Sequence, residues 1–592
     1  MKTKFNGILT LILVLLVQIT FAQEKTISGT VSDESGPLPG VNVIIKGTKN
    51  GTQTDFDGKY SIKAKTGDVI VFSFVGMTTT EKTVGTASTI NTILSADNLL
   101  EEIVVLGYTS RGKNELTGST VQISGDDLAE TPVTSVDQVL QGKVAGLSIS
   151  STSGTPGSVQ NIRIRGVSSI TSNNEPLYVI DGVPMINGDI SGYSETSNLS
   201  SLASFNGNNI ESVTVLKDAS ATSAYGARGS NGVIVITTKN GKAGKTQFNF
   251  GTSYGWSNNA VEGHKVLTAS QWDELFTEAI GYSAWDGVTD TSWGDLISND
   301  NAISQTYDLS ARGGGDDYNF YSSIGYNSSE ATVIGVDFER ITGQLNLTKD
   351  FSDKIKYSTK NSFSTMTQNG FLDNSAYFSN PYLTKYFMPS YLPAYNDDGS
   401  YYLGDDLPLY NTLYVMENNI YQNVTTRLTT NNDLSWKILE NLTFKTKFSA
   451  DYIVSDYKQY GDKDYGDDAD TGGYLYELNT QRFNWVTQNS LQYKFQIGND
   501  HNLEFNLIQE YQKNKTNYVG AEGEGFVTGN LQTLDSAGTI LDAYGAYTDW
   551  MIGSYLGLFN YSFSNKYYLD ATYRREGSSR FPSANRWGNF WS

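Results

Sequence analysis

Downstream of Lys245 the chain alternates between apolar and polar residues. Leu442, Phe444, Phe448, Ala450 and Tyr452 fall on one side of an extended chain, and Thr443, Lys445, Lys447, Ser449 and Asp451 on the other. Ile341, Gly343, Leu345 and Leu347 oppose Thr342, Gln344, Asn346 and Thr348 in the same way. Tyr567, Leu569, Ala571 and Tyr573 likewise oppose Asp570, Thr572 and Arg574. A period of two puts alternate side chains on opposite faces of a β-strand, so each segment predicts a strand with one apolar and one polar face. About eleven such strands fit between Lys245 and Glu576. Tight links, such as Gly313-Gly314-Gly315-Asp316 and the turn near Phe351-Ser352-Asp353, contrast with long polar spans at about 258–300, 369–421, 457–480 and 521–548. Short turns at one end and long loops at the other predict a transmembrane antiparallel barrel. Alternation alone also fits a soluble sheet with one wet face.

Upstream the pattern changes. Residues 23–97 carry short apolar runs, Val41-Asn42-Val43-Ile44-Ile45 and Val69-Ile70-Val71-Phe72-Ser73-Phe74, between clusters of Gly, Pro, Asp and Asn. They predict a small β-sandwich, with Asp57-Gly58 at a tight turn that needs positive φ. Residues 98–110 contain Glu101-Glu102-Ile103-Val104-Val105-Leu106-Gly107-Tyr108, which reads either as one more strand of a neighbouring sheet or as an extended segment offered to a partner's sheet edge. Residues 111–242 mix periods. Val136 to Val144 has helical spacing after a Ser135 cap, with Gly146 near its end, and strands are expected at 161–165, 177–180, 210–216 and 232–238. About 130 residues of this kind make an ordinary α+β domain.

Residues 1–22 place Lys2 and Lys4 before an apolar run from Ile8 to Val17 and close on Ala22, the layout of a cleaved secretory signal peptide. No later stretch is apolar for the roughly 20 residues a spanning helix needs, so membrane embedding would be by strands. Most of the 38 Tyr and 26 Phe lie in the alternating region, as aromatic girdles require. With 42 Lys+Arg against 63 Asp+Glu, a net charge of −21, nucleic acid is excluded as a partner. Zero Cys removes disulfides, thiolate metal sites and thiol nucleophiles.

Two strings carry a family likeness: Leu177-Tyr178-Val179-Ile180-Asp181-Gly182-Val183-Pro184, and the run from Ile210 to Lys239 that contains Lys217-Asp218 and Tyr225-Gly226-Ala227-Arg228-Gly229-Ser230-Asn231-Gly232. They resemble the plug signature of SusC/RagA-family TonB-linked outer-membrane proteins. The 23–97 module, through Thr26-Ile27-Ser28-Gly29-Thr30-Val31, Pro39-Gly40-Val41-Asn42-Val43 and Thr54-Asp55-Phe56-Asp57-Gly58-Lys59-Tyr60, resembles the carboxypeptidase-regulatory-like domain, a Greek-key sandwich. The resemblance implies a mainly β chain: signal peptide (1–22), sandwich (23–97), TonB-box segment (98–110), α+β plug (111–242) and the N-terminal half of a large antiparallel transmembrane barrel (243–592). It places Glu102, Ile103, Val104, Val105, Leu106, Gly107 and Tyr108 in the TonB-box position. It makes Asp181, Gly182, Lys217, Asp218, Tyr225, Gly226, Arg228, Gly229 and Gly232 chiefly architectural. It further implies residence in the outer membrane of a Gram-negative bacterium and active import of glycan or peptide oligomers, with TonB and a SusD-like surface lipoprotein as partners. A surface receptor or adhesin that binds without transport is the alternative. Eleven strands are half of the 22 described for plugged barrels, and 586–592 give no sign of a closing strand, so a chain truncated in mid-barrel is expected.

Enzyme chemistry finds little support. Gly251-Thr252-Ser253-Tyr254-Gly255 matches a nucleophile-elbow string, but it lies inside an alternating strand and only His264 and His501 could act as its base. No cofactor is expected. The acidic run with Asp462, Asp464, Asp467 and Asp468 partly matches a calcium loop but lacks the spaced Glu, so it reads as a solvated loop with Ca²⁺ as a weak candidate. Tyr382, Tyr386, Tyr391, Tyr395, Tyr401 and Tyr402 form a candidate ligand-contact loop, or a loop packed on itself.

Overall fold

The computed structural model describes residues 24–33, 36–48, 50–74, 77, 79–94, 103–112, 115–129, 135–171, 173–192, 198–261, 263–371, 380–498 and 500–592. The expected signal peptide lies outside them, as does Glu102. The chain divides into two units, residues 1–103 with 112–114, and residues 104–111 with 115–592.

The first unit holds two small sheets. One orders the strands Lys59–Ala64, Lys25–Ser32 and Thr92–Ile93; the other orders Gly51–Gln53, Asn42–Ile45, Val69–Ser73 and Thr80–Thr83. Alternate residues turn inward, so Ile27, Val31, Val43, Ile62, Ile70 and Phe72 share one buried core. The turn expected at Asp57-Gly58 forms, with Gly58 at φ 71° and the Asp55 carboxylate accepting from the amides of Asp57 and Lys59.

The second unit contains a five-stranded sheet inside a much larger one. The smaller sheet orders Thr120–Ser124, Ile210–Leu216, Val233–Thr238, Leu177–Ile180 and Val183–Pro184. Its strands are apolar on both faces because both are covered. Tyr178, Ile180, Val213, Val215, Ile234 and Ile236 face one core, and Leu177, Val179, Leu216, Val233 and Val235 face another. The expected 136–144 helix shortens to Val136–Val139. The Ser135 hydroxyl bonds the Asp137 carboxylate and leaves the helix amides uncapped, and Gly142 and Gly146 take positive φ just downstream.

From Gly244–Ser257 to Trp587–Trp591, twelve strands pair with their sequence neighbours in one antiparallel sheet. The predicted faces are observed. Leu345, Phe448 and Leu569 stand exposed on the apolar side, while Asn346, Ser449, Asp451 and Arg574 are buried on the other. Two expected loops are shorter than their polarity suggested. The Leu442–Gly461 and Tyr474–Ile497 strands run into the 457–480 span, and His501–Phe526 and Ala537–Phe563 run into 521–548. Strands of 20 to 27 residues carry the pairing into these spans, where Tyr457, Tyr460, Leu475, Tyr476, Leu478 and Phe526 are buried and the two-residue alternation is lost. The 258–300 and 369–421 spans are long connections, as expected, and carry helices at Ala269–Ile280, Trp293–Ile297, Pro381–Phe387 and Thr412–Asn418. At the terminal stretch Trp587–Trp591 forms a strand paired with residues 573–577, its neighbour in sequence, and not with Gly244–Ser257.

Candidate functional site

Residues 104–111 lie across the second face of the five-stranded sheet. Val105, Leu106 and Tyr108 pack on Leu177, Val179, Leu216, Tyr225, Val233 and Val235. Val104 is buried, and Ile103 begins the Ile103–Val105 strand. The chain reverses where the Leu106 amide donates to the Thr109 carbonyl (2.8 Å), with Gly107 at φ 88°. A side chain is disfavoured at that φ, and a Cβ there would stand 1.6 Å from the Tyr225 hydroxyl. That hydroxyl donates to the Leu106 carbonyl at 2.9 Å, and its ring packs 5.0 Å from that of Tyr108.

Tyr108 reaches the wall of the large sheet, against Ile508, Leu556 and Leu558. Its hydroxyl donates to Glu510 Oε2 (2.7 Å) and accepts from Arg574 Nη1 (3.1 Å). Burial, followed by the Glu510 charge, pushes its phenol pKa up, so it remains a donor at neutral pH. Glu510 also accepts from Arg228 Nη2 (2.9 Å), Arg574 Nη2 (3.0 Å) and Gln488 (2.8 Å). Arg574 binds Glu576 (2.7 Å), Ser554 (2.7 Å) and the Ala224 carbonyl (2.7 Å), and Arg228 also bonds Gln512. Two cations and two carboxylates thus balance in a buried cluster that joins segment, inner domain and wall. Gly226, at φ 62°, lets the chain pass Arg574, whose Nε a Cβ would meet at 2.9 Å.

The other motif residues hold the inner domain together and to the wall. Asp181 accepts from Lys360 (2.6 Å) and from the Thr238 hydroxyl (2.8 Å) and amide (3.1 Å), while Lys447 donates to its carbonyl (2.8 Å). Burial raises the pKa of its carboxyl, but Lys360 and Thr238 outweigh that and hold it below the usual range. Asp218 pairs with Arg165 and accepts from the Ser119 amide (2.7 Å); Lys217 donates to Ala145 O (3.2 Å). The Gly182 carbonyl accepts from Gln488 (3.3 Å), and Gly229 and Gly232 sit close to Thr222 and Ile164. Wall arginines clasp the 190–206 stretch. Arg340 donates to Ala203 O and Phe205 O, Arg427 to Ser201 O, and Arg482 to Ile190 O. Arg427 also makes a buried two-pronged pair with Asp451, at 2.9 and 2.8 Å. Glu510, Gln488 and Arg574 carry no motif; their one mark in the sequence is a charged or amide side chain at an inward position.

The six loop tyrosines do not converge. Tyr382 and Tyr386 lie on Pro381–Phe387, Tyr391 meets Trp272 and Phe276 edge-on, Tyr395 pairs with Tyr401, and Tyr402 donates to Asp406. In the acidic loop, Asp462 accepts from Tyr414 and from the amides of Asp464 and Tyr465, and Lys463 pairs with Asp464. Burial, with Asp467 adding to it, raises the Asp468 carboxyl to about 6. Among the described residues no three His, Cys, Asp or Glu side chains are arranged to hold a metal ion. Ser253 lies within the Gly244–Ser257 strand, without the strand-to-helix turn of a hydrolase elbow.

A sandwich, followed by a segment and a small domain that a charged latch holds to a large antiparallel sheet, defines a TonB-dependent receptor. Comparison with known proteins agrees. The CarboxypepD_reg-like domain family matches residues 27–105, and the TonB-dependent Receptor Plug Domain family matches residues 112–233. A TonB-dependent receptor of Formosa agariphila is 34% identical over 95% of this chain and 57% of its own length. TonB-dependent receptor SusC of Bacteroides thetaiotaomicron is 33% identical over 99% of this chain and 60% of its own. The solved RagAB peptide importer in its open-open state superposes with a TM-score of 0.71 at 26% identity, over 83% of this chain and 58% of that one. The chain belongs to the SusC/RagA family of TonB-dependent receptors. It spans 56 to 60% of the length of the curated relatives it matches.

Proposed function

We propose that the full-length protein imports oligomers, glycan or peptide, across the outer membrane, driven by TonB pulling on residues 102–108 and assisted by a SusD-like surface lipoprotein. The observation that carries this reading is the docked segment. Residues 104–108 bury their apolar side chains on the plug and fix Tyr108 to Glu510 and Arg574. A pull on the segment therefore acts directly on contacts between plug and wall. An extended segment that adds to a partner's sheet edge needs little more than a free backbone, so detachment and capture are compatible. The importer reading also draws support from the relatives named SusC and RagAB peptide importer. The apolar outer face of the large sheet suits lipid, which supports an outer-membrane barrel. Nothing in the site calls for catalysis.

Deleting residues 102–108 from the full-length protein tests the reading. Uptake of labelled oligomer should stop while surface display stays normal. Unchanged uptake would reject it and leave a receptor that binds without transport.

A further inference from the structure

Four tyrosines cross the inward face of the large sheet beyond the plug. Tyr457 and Tyr476 lie 5.9 Å apart, the Tyr476 and Tyr544 hydroxyls share a 2.6 Å hydrogen bond, and Tyr544 stands edge-on to Tyr518 at 6.3 Å. They come from four neighbouring strands, Leu442–Gly461, Tyr474–Ile497, His501–Phe526 and Ala537–Phe563. Tyr518 and Glu510 are eight residues apart in one strand, an even number, so both face inward. The row is graded: Tyr457 and Tyr476 are 2% and 5% exposed, whereas Tyr518 and Tyr544 are 36% and 40% exposed.

Tyr544 is held flat. It pairs across the ladder with Gly520, where a Cβ would meet its ring at 2.8 Å, so the absence of a side chain lets the ring lie against the wall. The Tyr476 bond fixes its hydroxyl end. A ring held at both ends loses little freedom when a ligand stacks on it, which is the condition for an efficient aromatic contact.

The neighbours indicate what would stack there. Tyr518 faces Thr480 on one side and Ala546 on the other. Glu522, opposite Tyr476, accepts from the Tyr474 hydroxyl, and Arg482 donates to the Ile190 carbonyl. Glu522 also stands opposite Asp542, two residues from Tyr544, so the charge left beside the two rings is acidic. A pyranose offers the matching chemistry, a C–H face for the ring and hydroxyls around its rim. A peptide carboxylate or an acidic oligomer would be repelled by Glu522 and Asp542.

We propose that Tyr518 and Tyr544, backed by Gly520 and Tyr476, form a stacking platform for a neutral saccharide oligomer on the inner wall. This rests on the importer reading and chooses glycan within it. The test is calorimetric titration of purified full-length receptor with hexaoses of glucose, xylose and mannose, a trigalacturonate and a mixed hexapeptide pool. At least one neutral hexaose should bind. The Tyr518→Ala/Tyr544→Ala double variant should bind it about tenfold more weakly or worse, the size of one good aromatic contact. Gly520→Val should weaken it similarly by lifting the ring, while Tyr544→Phe, which keeps the ring but loses the Tyr476 bond, should weaken it less than the double variant does. Binding of only the peptides or the acidic trimer, no neutral hexaose binding at all, or hexaose binding untouched by the double variant and Gly520→Val would each overturn the proposal. Because this binding needs no TonB, its failure is distinguishable from an uptake that survives deletion of residues 102–108.

Discussion

Tyr108→Phe removes one oxygen from the latch and leaves the ring packed on Ile508, Leu556 and Leu558. The lost hydroxyl donated to Glu510 at 2.7 Å and accepted from Arg574 at 3.1 Å. Neither charged partner is orphaned. Glu510 keeps Arg228, Arg574 and Gln488, and Arg574 keeps Glu576, Ser554 and the Ala224 carbonyl. The loss is therefore two hydrogen bonds to charged groups that keep their other partners, together about 2 kcal/mol, and not the larger penalty of stranding a buried charge. About 2 kcal/mol changes a two-state ratio roughly thirtyfold, so the detached population of the segment should rise by that factor. The protein has no Cys, so Val104→Cys provides a single thiol, buried while the segment is docked. Its rate of maleimide modification follows the detached population even when that population is small. The rate in the Tyr108→Phe background should be about thirty times that with Tyr108 intact. Rates equal within about twofold would mean that the Tyr108 hydroxyl does not hold the segment.

Gly107→Ala should free the same thiol by a second route: positive φ costs a side chain about 1–2 kcal/mol, and the new Cβ displaces the Tyr225 hydroxyl from Leu106. A modification rate no faster than the parent's would show that the turn tolerates the change. Asp181 has a carboxyl held below its ordinary 3.8, so the stability it contributes is present above that pH and is lost as pH falls through the lower folded value. Asp181→Asn should destabilise the plug by about 3 kcal/mol at pH 7, because Lys360 loses its partner, and should flatten the acid limb below pH 3.8; amide exchange in Val233–Thr238 measures both. Asp468 is the opposite case. Its folded value of about 6 lies above 3.8, so loop stability falls as pH rises between the two. Asp468→Asn should raise amide protection in the 462–473 loop at pH 7 and remove the pH dependence of that protection between 3.8 and about 6, and lower protection would contradict the half-buried, repelled carboxylate.

Alternation at 341–348, 442–452 and 567–574 identified strands and their faces correctly, because a period of two records burial on one side only. The same signal failed at 457–461, 474–480, 521–526 and 537–548, where pairing goes on although apolar and polar positions no longer alternate. The Asp57-Gly58 turn was legible because its backbone requirement is local, whereas the helix after Ser135 shortened because the Ser135 hydroxyl bonds Asp137 in place of the helix amides. The sequence by itself determined that the chain is mainly β, that a small mixed domain precedes the large sheet, and that residues 103–108 form an extended apolar stretch suited to docking. The tertiary structure alone decided that Tyr108 meets Glu510 and Arg574, which lie 402 and 466 residues away, and that Tyr544 lies flat on Gly520. Local patterns encode which way a side chain faces. What it meets depends on the register of many strands and on the seating of the plug among them, and no short stretch of sequence carries that information.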